Sequence, residues 1–349
     1  MIISIEEAVE KLKQGEVVAI PTETVYGLAA LATNENAVRK IFELKKRPLN
    51  NPLICHISSP NQLDEYVFLK DYHEPLFKFW PGPLTILFPK KTTIPEIVTG
   101  GSPYCGFRIP DHPIALEILR SVEKPIAAPS ANPFTKLSPI SAEMVRDYFQ
   151  EKVDVVDGGI CHVGIESTVV LFRDESTIEI LRPGIFTKED FESLGYEVIV
   201  SNQKKGGETL HSPGLLEKHY LPKIPLILLS KEFLDDFRKV SIIDYSQLLD
   251  EIITKNKVLP EKETLRNFLQ EKQKMAFIVY GNFPHHDSVF HLSHNENLFE
   301  IAKNLYRTLH DLEKNFDGIV AFNVENRGLG FAINDRLRKA SSWRINKMT

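Results

Sequence analysis

The stretch VVAIPTETVYGLAA, residues 17–30, sets an apolar run directly beside a polar cluster. Residues 17–20 have the pattern of a buried strand, and Pro21 ends it because proline cannot donate a hydrogen bond to the sheet. The Thr-Glu-Thr triplet at 22–24 is typical of a capped turn. A binding site is the alternative, because ligands of open α/β sheets lie outside the carboxyl ends of strands. The remaining sequence decides between these two hypotheses.

Strand and helix patterns alternate along the chain on both sides of this stretch. Ser4 and Glu7 form a capping box, which predicts a short helix near the N-terminus. Periodicity predicts further helices at 36–46, 113–122 and 141–150, and further strands at 53–57, 84–88, 106–109, 126–128, 153–156, 168–172 and 178–181. Such alternation indicates an α/β fold with a mixed sheet.

A second α/β segment follows a polar linker. A length of 349 residues favours two domains, and the glycine-containing run SNQKKGG at 201–207 has the composition of a linker. We predict a first domain at 1–200, a linker at 201–223 and a second domain at 224–349. In the second domain, patterns predict strands at 225–229, 240–244, 276–280 and 318–323, and helices at 298–314 and 329–341.

Composition restricts the class of protein. The net charge of -5 argues against a protein that coats nucleic acid. The cysteines at 55, 105 and 161 are far apart, so we expect neither a disulfide framework nor a cysteine zinc site. The N-terminus lacks a signal-type apolar core, and no apolar run approaches the ~20 residues of a membrane span. We expect a cytoplasmic protein without membrane contact.

Further polar clusters stand where predicted strands and helices end. They are Lys45-Lys46-Arg47, His56, Arg108, Ser130-Ala131-Asn132 and Arg182. Each has a structural explanation of its own, such as cations that meet the dipole at a helix C-terminus. Together, these cations, hydroxyls and amides suit an anionic ligand such as a nucleotide with a small acid. Neither a P-loop nor a dinucleotide glycine fingerprint occurs, so side chains would have to hold the nucleotide.

The order of the motifs resembles a known family. The motifs are PTETVYGL at 21–28, K-x-R-P at 45–48, S-x-N at 130–132, GIESTVV at 164–170 and LRPG at 181–184. This combination resembles the YrdC-like domain of threonylcarbamoyl-AMP synthases, and the segment from SPG to HYLP at 212–222 resembles the linker of the two-domain form. The resemblance implies a YrdC-like twisted mixed sheet with flanking helices, followed by a smaller C-terminal Rossmann-like α/β domain.

The resemblance also implies a reaction. L-threonine, bicarbonate and ATP give L-threonylcarbamoyl-AMP and pyrophosphate, and Mg²⁺ accompanies ATP rather than binding to the protein alone. The product passes to a tRNA threonylcarbamoyl transferase complex, which modifies the adenosine next to the anticodon. A weak contact with tRNA itself is compatible with this interpretation.

Roles for individual residues follow from the same resemblance. The residues expected to bind threonine are Thr24, His56, Arg108, Ala128, Ser167 and Thr168. Those expected to bind ATP are Lys45, Arg47, Asn51, Ser130, Asn132, Ser138, Arg182 and Tyr220. Lys45 and Arg47 are expected to stabilise charge, and no residue is assigned as a general acid or base. Tyr220, with His219, is expected to reach in from the linker as a lid that excludes water.

Alternative functions remain. One alternative is an RNA-binding module with the YrdC-like fold that does not synthesise an adenylate. The acidic net charge argues against RNA binding. A carbamoyl-transfer domain of the hydrogenase-maturation type lacks support because the cysteines of its zinc fingers are missing. The histidines at 285, 286, 291 and 294 suggest a metal site, but their spacing fits no standard zinc signature, and a solvated loop is favoured.

Overall fold

The computed structural model of the chain describes residues 1–201, 218–241, 245–255, 262–271 and 274–347. The chain divides into two compact units, Met1–Glu217 and Lys218–Thr349. Residues 202–217 of the predicted linker lie outside the described part. Within that part, no helix combines the length and apolarity needed to cross a membrane.

A ten-stranded mixed sheet forms the first unit, in the order β10-β9-β8-β4-β5-β3-β6-β2-β1-β7. Its strands are β1 (Val18–Ile20), β2 (Gly27–Leu31), β3 (Ile54–His56), β4 (Leu84–Pro89), β5 (Tyr104–Arg108), β6 (Ile126–Ala127), β7 (Asp154–Val155), β8 (Thr168–Phe172), β9 (Thr177–Arg182) and β10 (Glu197–Val200). Its α-helices are α1 (Ile5–Lys13), α2 (Glu35–Lys45), α3 (Leu63–Tyr66), α4 (Glu96–Thr99), α5 (Pro113–Val122), α6 (Ala142–Phe149) and α7 (Lys188–Glu192). The mixed sheet and the helices at 36–46, 113–122 and 141–150 were predicted.

Strand direction changes within this sheet. β3 pairs with β5 in parallel, but β3 pairs with β6 in antiparallel fashion. β2 is antiparallel to both β1 and β6, so β1 and β6 run in the same direction. The carboxyl ends of β1 and β6 therefore point away from those of β3 and β5. Residues that follow these four strands do not share one edge of the sheet.

The apolar faces of α1 and α5 cover one side of the sheet near β1. The predicted capping box forms, since the Ser4 hydroxyl accepts from the Glu7 N–H and the Glu7 carboxylate accepts from the Ser4 N–H. Leu12 on α1 and Ile118 on α5 are fully buried in a cluster with Val18 and Ile20 of β1. Burial of each such side chain contributes about 1.5–3 kcal/mol, which fixes the position of β1 and of the turn that follows it.

β2 was not predicted. Its sequence, GLAAL, is buried along its whole length and pairs with β1 on one side and with β6 on the other. A strand that is covered on both faces has no alternation of polar and apolar residues, so its periodicity carries no signal.

The second unit is built on a five-stranded parallel sheet, in the order β13-β12-β14-β11-β15. Its strands are β11 (Leu226–Leu229), β12 (Met275–Tyr280), β13 (Val289–Ser293), β14 (Gly318–Phe322) and β15 (Trp343–Ile345), and its α-helices are α8 (Leu234–Lys239), α9 (Tyr245–Lys255), α10 (Lys262–Glu271), α11 (Leu298–Leu312) and α12 (Leu329–Ala340). Parallel strands alternate with helices, as expected for a Rossmann-like domain. Of the strand predicted at 240–244, residues 240–241 are not in a strand and residues 242–244 lie outside the described part.

Candidate active site

The turn after β1 is closed by Thr22. Its hydroxyl donates to the Val25 carbonyl at 2.6 Å and accepts from the N–H groups of Thr24 and Val25, each at 3.2 Å. The Thr24 hydroxyl lies 2.9 Å from the Thr22 hydroxyl and accepts from Arg108. The polar triplet is therefore a capped turn, and the role of Thr24 in binding stays a prediction.

Arg108, the last residue of β5, is held in three directions. Its Nε donates to the Gly82 carbonyl at 3.2 Å, and its Nη1 donates to the Thr24 hydroxyl at 2.9 Å. Its Nη2 lies 2.5 Å from Oε1 of Glu23, and both side chains are at most 5% exposed. The guanidinium is thus fixed before any substrate arrives, which reduces the entropy lost on binding a carboxylate.

His56 lies beside Arg108. The two residues are paired in the parallel ladder of β3 and β5, so their side chains project from the same face of the sheet. Burial, together with the charge of Arg108, lowers the pKa of His56 to about 3, and the carbonyls of Ile126 and Ile54 offset this only in part. His56 is therefore a neutral hydrogen-bonding group at physiological pH.

The buried His56 makes stability depend on pH. Its pKa is lower in the folded chain than the usual 6.5, so the unfolded chain binds the proton first and stability falls as pH drops below about 6.5. Between pH 7 and pH 5 we expect the first unit to lose about 2 kcal/mol through this group. Urea unfolding at both pH values measures it. The variant His56→Gln should lose less stability than the wild type between pH 7 and pH 5. The control variant His162→Gln, at an exposed position, should lose as much stability as the wild type. Equal losses in all three proteins would contradict the assignment.

Lys45 binds the S-x-N loop. Its side chain is 1% exposed, and its ammonium donates to the carbonyls of Ser130 and Asn132 at 2.5 and 2.6 Å. Burial and the charge of Arg47 lower the pKa of Lys45 well below its usual value. Through its two hydrogen bonds, the Lys45 side chain stabilises the loop directly. The role of Lys45 in charge stabilisation remains a prediction.

Two amide side chains near this loop have open hydrogen-bonding positions. Asn132 donates through Nδ2 to the carbonyls of Pro133 and Lys136, both at 2.9 Å. Arg47 donates to the Asn51 side-chain oxygen at 2.6 Å and to the Pro52 carbonyl at 2.8 Å. Oδ1 of Asn132 and Nδ2 of Asn51 are buried without a hydrogen-bond partner in the described part of the chain. Such buried groups are the positions that a polar ligand satisfies.

Arg182, at the end of β9, organises the start of β8. It donates to the Ser167 carbonyl and to the Ser167 hydroxyl, both at 3.0 Å. The Ser167 hydroxyl lies 2.8 Å from the hydroxyl of Thr85 on β4. Sequence analysis did not identify Thr85, which reads as an ordinary strand residue.

Thr168 makes a different set of contacts. Its hydroxyl donates to the Phe186 carbonyl at 2.8 Å and accepts from the Phe186 N–H at 3.0 Å. The LRPG motif passes so close that a Cβ on Gly184 would lie 2.4 Å from the Thr168 nitrogen, which explains the glycine. Since its proton is committed to Phe186, the Thr168 hydroxyl has only an acceptor position left for threonine.

The substitution Thr168→Val tests whether the Thr168 hydroxyl mainly stabilises the fold through Phe186 or mainly contacts threonine. We expect the loss of both Phe186 contacts to lower stability by about 1–3 kcal/mol. The KM for threonine should change by less than about threefold, because the hydroxyl donates to the protein and not to substrate. Thermal unfolding and steady-state kinetics measure the two effects, and Thr168→Ser should restore stability. A tenfold rise in KM without a loss of stability would assign the hydroxyl to threonine instead.

Two hydrogen bonds connect predicted site residues, or their neighbours in sequence, that lie at the ends of different strands. One is the bond from Arg108 to Thr24, which joins the end of β5 to the turn after β1. The other joins the segment after the S-x-N loop to the start of β8, since the Ser138 hydroxyl donates to Glu166 Oε1 at 2.6 Å. Ala128, predicted near threonine, is 7% exposed, and its N–H donates to the Ile54 carbonyl. These contacts link Arg108 to Thr24, and Ser138 to the residue that precedes Ser167.

Family models match almost the whole chain. The model described as Telomere recombination, for Sua5, YciO and YrdC proteins, matches residues 10–184. The model described as Threonylcarbamoyl-AMP synthase, C-terminal domain, matches residues 186–342. The threonylcarbamoyl-AMP synthase of Pyrococcus abyssi is 37% identical, with 100% of this chain and 99% of that protein covered. The chain belongs to the threonylcarbamoyl-AMP synthase family.

Other members of this family agree in length and fold. The threonylcarbamoyl-AMP synthase of Bacillus subtilis is 35% identical, with 98% of this chain and 94% of that protein covered. A crystal structure of Pyrococcus abyssi Sua5 complexed with L-threonine superposes with a TM-score of 0.83 and 36% identity, and covers 99% of this chain and 96% of the other. The predicted combination of a YrdC-like domain and a Rossmann-like domain is therefore confirmed.

Two predictions concern residues of the second unit. Tyr220 is 1% exposed, and the Arg336 guanidinium lies 5.6 Å from the centre of its ring. Its assignment to ATP stays a prediction. The rings of His291 and His294 stack at 4.2 Å, but the described residues contain no group of three or more histidines, cysteines or carboxylates that could hold a metal ion. In that part of the chain, the histidine tract has no metal-binding geometry.

Proposed function

We propose that this chain synthesises L-threonylcarbamoyl-AMP from L-threonine, bicarbonate and ATP, with release of pyrophosphate. The observation that carries the proposal is the fixed, buried Arg108 with Thr24 and the neutral His56 beside it, in a member of the threonylcarbamoyl-AMP synthase family. A guanidinium suits the carboxylate of threonine, and an uncharged imidazole suits its hydroxyl. We assign Thr24, His56, Arg108, Ala128, Ser167 and Thr168 to the threonine pocket, where the hydroxyl of Thr168 supports the pocket wall through its hydrogen bonds to Phe186.

The ATP side of the site consists of Arg47, Asn51, Ser130, Asn132, Ser138 and Arg182, with Lys45 as the support of the loop. The threonine ammonium loses a proton, and the resulting amine adds to bicarbonate with loss of water to give a carbamate. The carbamate oxygen attacks the α-phosphorus of ATP and displaces pyrophosphate. Such a step needs alignment of two anions and neutralisation of charge more than it needs covalent help. Arg47 and Arg182 supply positive charge, and the two open amide positions supply directional hydrogen bonds.

Magnesium fits this site as a companion of ATP. The carboxylates that contact site residues, Glu23 and Glu166, already bind Arg108 and Ser138. Among the described residues, the open oxygen on the ATP side is Oδ1 of Asn132, a neutral ligand, whereas the two open oxygens of Glu23 lie beside Arg108 on the threonine side. Mg²⁺ retains several waters and substrate phosphate oxygens, so one neutral protein oxygen is sufficient. When bound, the ion offsets negative charge on the triphosphate.

The wider setting of the reaction is part of the same proposal. The adenylate passes in the cytoplasm to a tRNA threonylcarbamoyl transferase complex, with at most a weak contact between this chain and tRNA. Residues 1–200 carry the chemistry, and the linker at 201–223, with Tyr220, covers the bound phosphates. Such a lid excludes water from an adenylate that hydrolyses readily.

Pyrophosphate release tests the proposal. The full chain is incubated with ATP and Mg²⁺, and threonine and bicarbonate are omitted in turn. We expect release only when both are present, together with a product of the mass of threonylcarbamoyl-AMP. Release that does not need threonine would refute the proposed reaction. RNA binding that persists at high salt without adenylate formation would support the RNA-binding module instead.

A further inference from the structure

Glu23 is a buried carboxylate to which neither the sequence motifs nor the proposed reaction gives a task. It is 0% exposed, and its only ion pair in the described part of the chain is with Arg108. The N–H groups of Arg108 are not oriented for a hydrogen bond to Glu23. Both carboxylate oxygens of Glu23 therefore lack a hydrogen-bond partner among the described residues. A buried carboxylate without hydrogen bonds is costly and is expected where a ligand completes its contacts.

The open hydrogen-bonding positions around Glu23 are of three kinds. The oxygens of Glu23 are acceptors, Nη2 of Arg108 is a donor, and Nδ1 of His56 belongs to a neutral imidazole. Threonine carries an ammonium, a carboxylate and a hydroxyl, one group for each kind. We propose that Glu23 binds the threonine ammonium, and that the Glu23–Arg108 pair makes the pocket selective for zwitterionic amino acids. This inference rests on the proposed function.

The charge balance of the pocket supports a zwitterion. Glu23 and Arg108 carry opposite charges, and burial keeps the neighbouring groups neutral. The pKa of the Cys161 thiol is raised to about 12, and the pKa of His112 is lowered by burial despite the nearby carboxylate. Two further neighbours of His112, Asp111 and His162, are exposed. A zwitterion adds no net charge, whereas a carboxylate alone would leave one uncompensated negative charge in a buried site.

A simpler role for Glu23 is to orient Arg108. Binding of 3-hydroxybutyrate, which is threonine without its amine, separates the two roles because it uses Arg108 and His56 but has no ammonium. If Glu23 only positioned Arg108, removal of the Glu23 carboxylate would lower the affinity for threonine and for 3-hydroxybutyrate by the same factor. If Glu23 binds the ammonium, removal of the carboxylate lowers the affinity for threonine alone.

The test is calorimetric binding of both ligands to the full chain and to the variant Glu23→Gln, which keeps the size of the side chain. In the wild type we expect threonine to bind about 100-fold more tightly than 3-hydroxybutyrate. In Glu23→Gln, the affinity for threonine should fall by about 100-fold, whereas the affinity for 3-hydroxybutyrate should not fall, because the negative charge that opposed its carboxylate is gone. Equal affinities in the wild type, or equal losses in the variant, would overturn the inference.

The wild-type comparison does not depend on whether the variant folds. For the variant, an unchanged dissociation constant for ATP verifies an intact site. The outcome is also separable from failure of the proposed function. If pyrophosphate release needs threonine but Glu23→Gln binds threonine normally, the reaction stands and the role of Glu23 is wrong. If release does not need threonine, the reaction itself is wrong.

Discussion

Replacement of Arg108 by lysine is expected to lower kcat/KM for threonine by about 1000-fold. Lysine keeps the positive charge but cannot reach Gly82, Thr24 and Glu23 at the same time, as the planar guanidinium does. The ammonium would settle against Glu23, and the carboxylate of threonine would lose its prearranged partner. Pyrophosphate release with threonine varied at saturating ATP measures the effect.

The effect of Arg108→Lys should be confined to threonine. We expect the KM for ATP to change by no more than about threefold, because the guanidinium contacts the turn after β1 and not the S-x-N loop. Arg39→Lys is the matched control, since Arg39 is an exposed residue of α2 that pairs with Glu35 one helical turn away. This control should retain wild-type kinetics. A loss of ATP affinity in Arg108→Lys as large as the loss for threonine would contradict the assignment.

Replacement of Lys45 by methionine is expected to lower turnover by about 100-fold and to raise the KM for ATP. Methionine fills the space of the side chain but leaves the carbonyls of Ser130 and Asn132 without their ammonium donor. The S-x-N loop then loses two of the hydrogen bonds that fix its position relative to α2, and keeps the bond from the Phe134 N–H to the Lys45 carbonyl. We expect a cost in stability of about 1–3 kcal/mol, which thermal unfolding measures.

The neighbouring Lys46 provides the control for this experiment. Lys46 is the exposed C-cap of α2, with a φ angle of 52°, and no ion pair of its side chain is found in the described part of the chain. Lys46→Met should therefore leave turnover unchanged, even though it removes the same charge one residue away. If the two variants behaved alike, the effect of Lys45 would be one of general charge and not of loop position.

Local patterns predicted much of the secondary structure. The capping box of α1, proline at the end of β1 and the apolar periodicity of α2, α5, α6, α11 and α12 are properties of adjacent residues, and the structure contains all of them. Prediction was weaker where burial was complete or the pattern short. β2 has no polar residue to mark one face, and the apolar residues near 240 follow a short helix that already buries Leu234 and Phe237.

The sequence by itself determined which chemical groups this protein offers: guanidinium and ammonium groups, hydroxyls, amides and a histidine, set at the ends of strands. These strand ends do not share one edge of the sheet, because β1 and β6 run opposite to β3 and β5. Only the tertiary structure decided that Arg108 reaches Thr24 and Glu23, that Lys45 holds two loop carbonyls, and that Thr168 is committed to Phe186. The physical reason is the separation in sequence between the residues that interact. A turn or a helix follows from neighbours in sequence, whereas the partner of a buried polar group follows from strand direction and from what else is buried beside it.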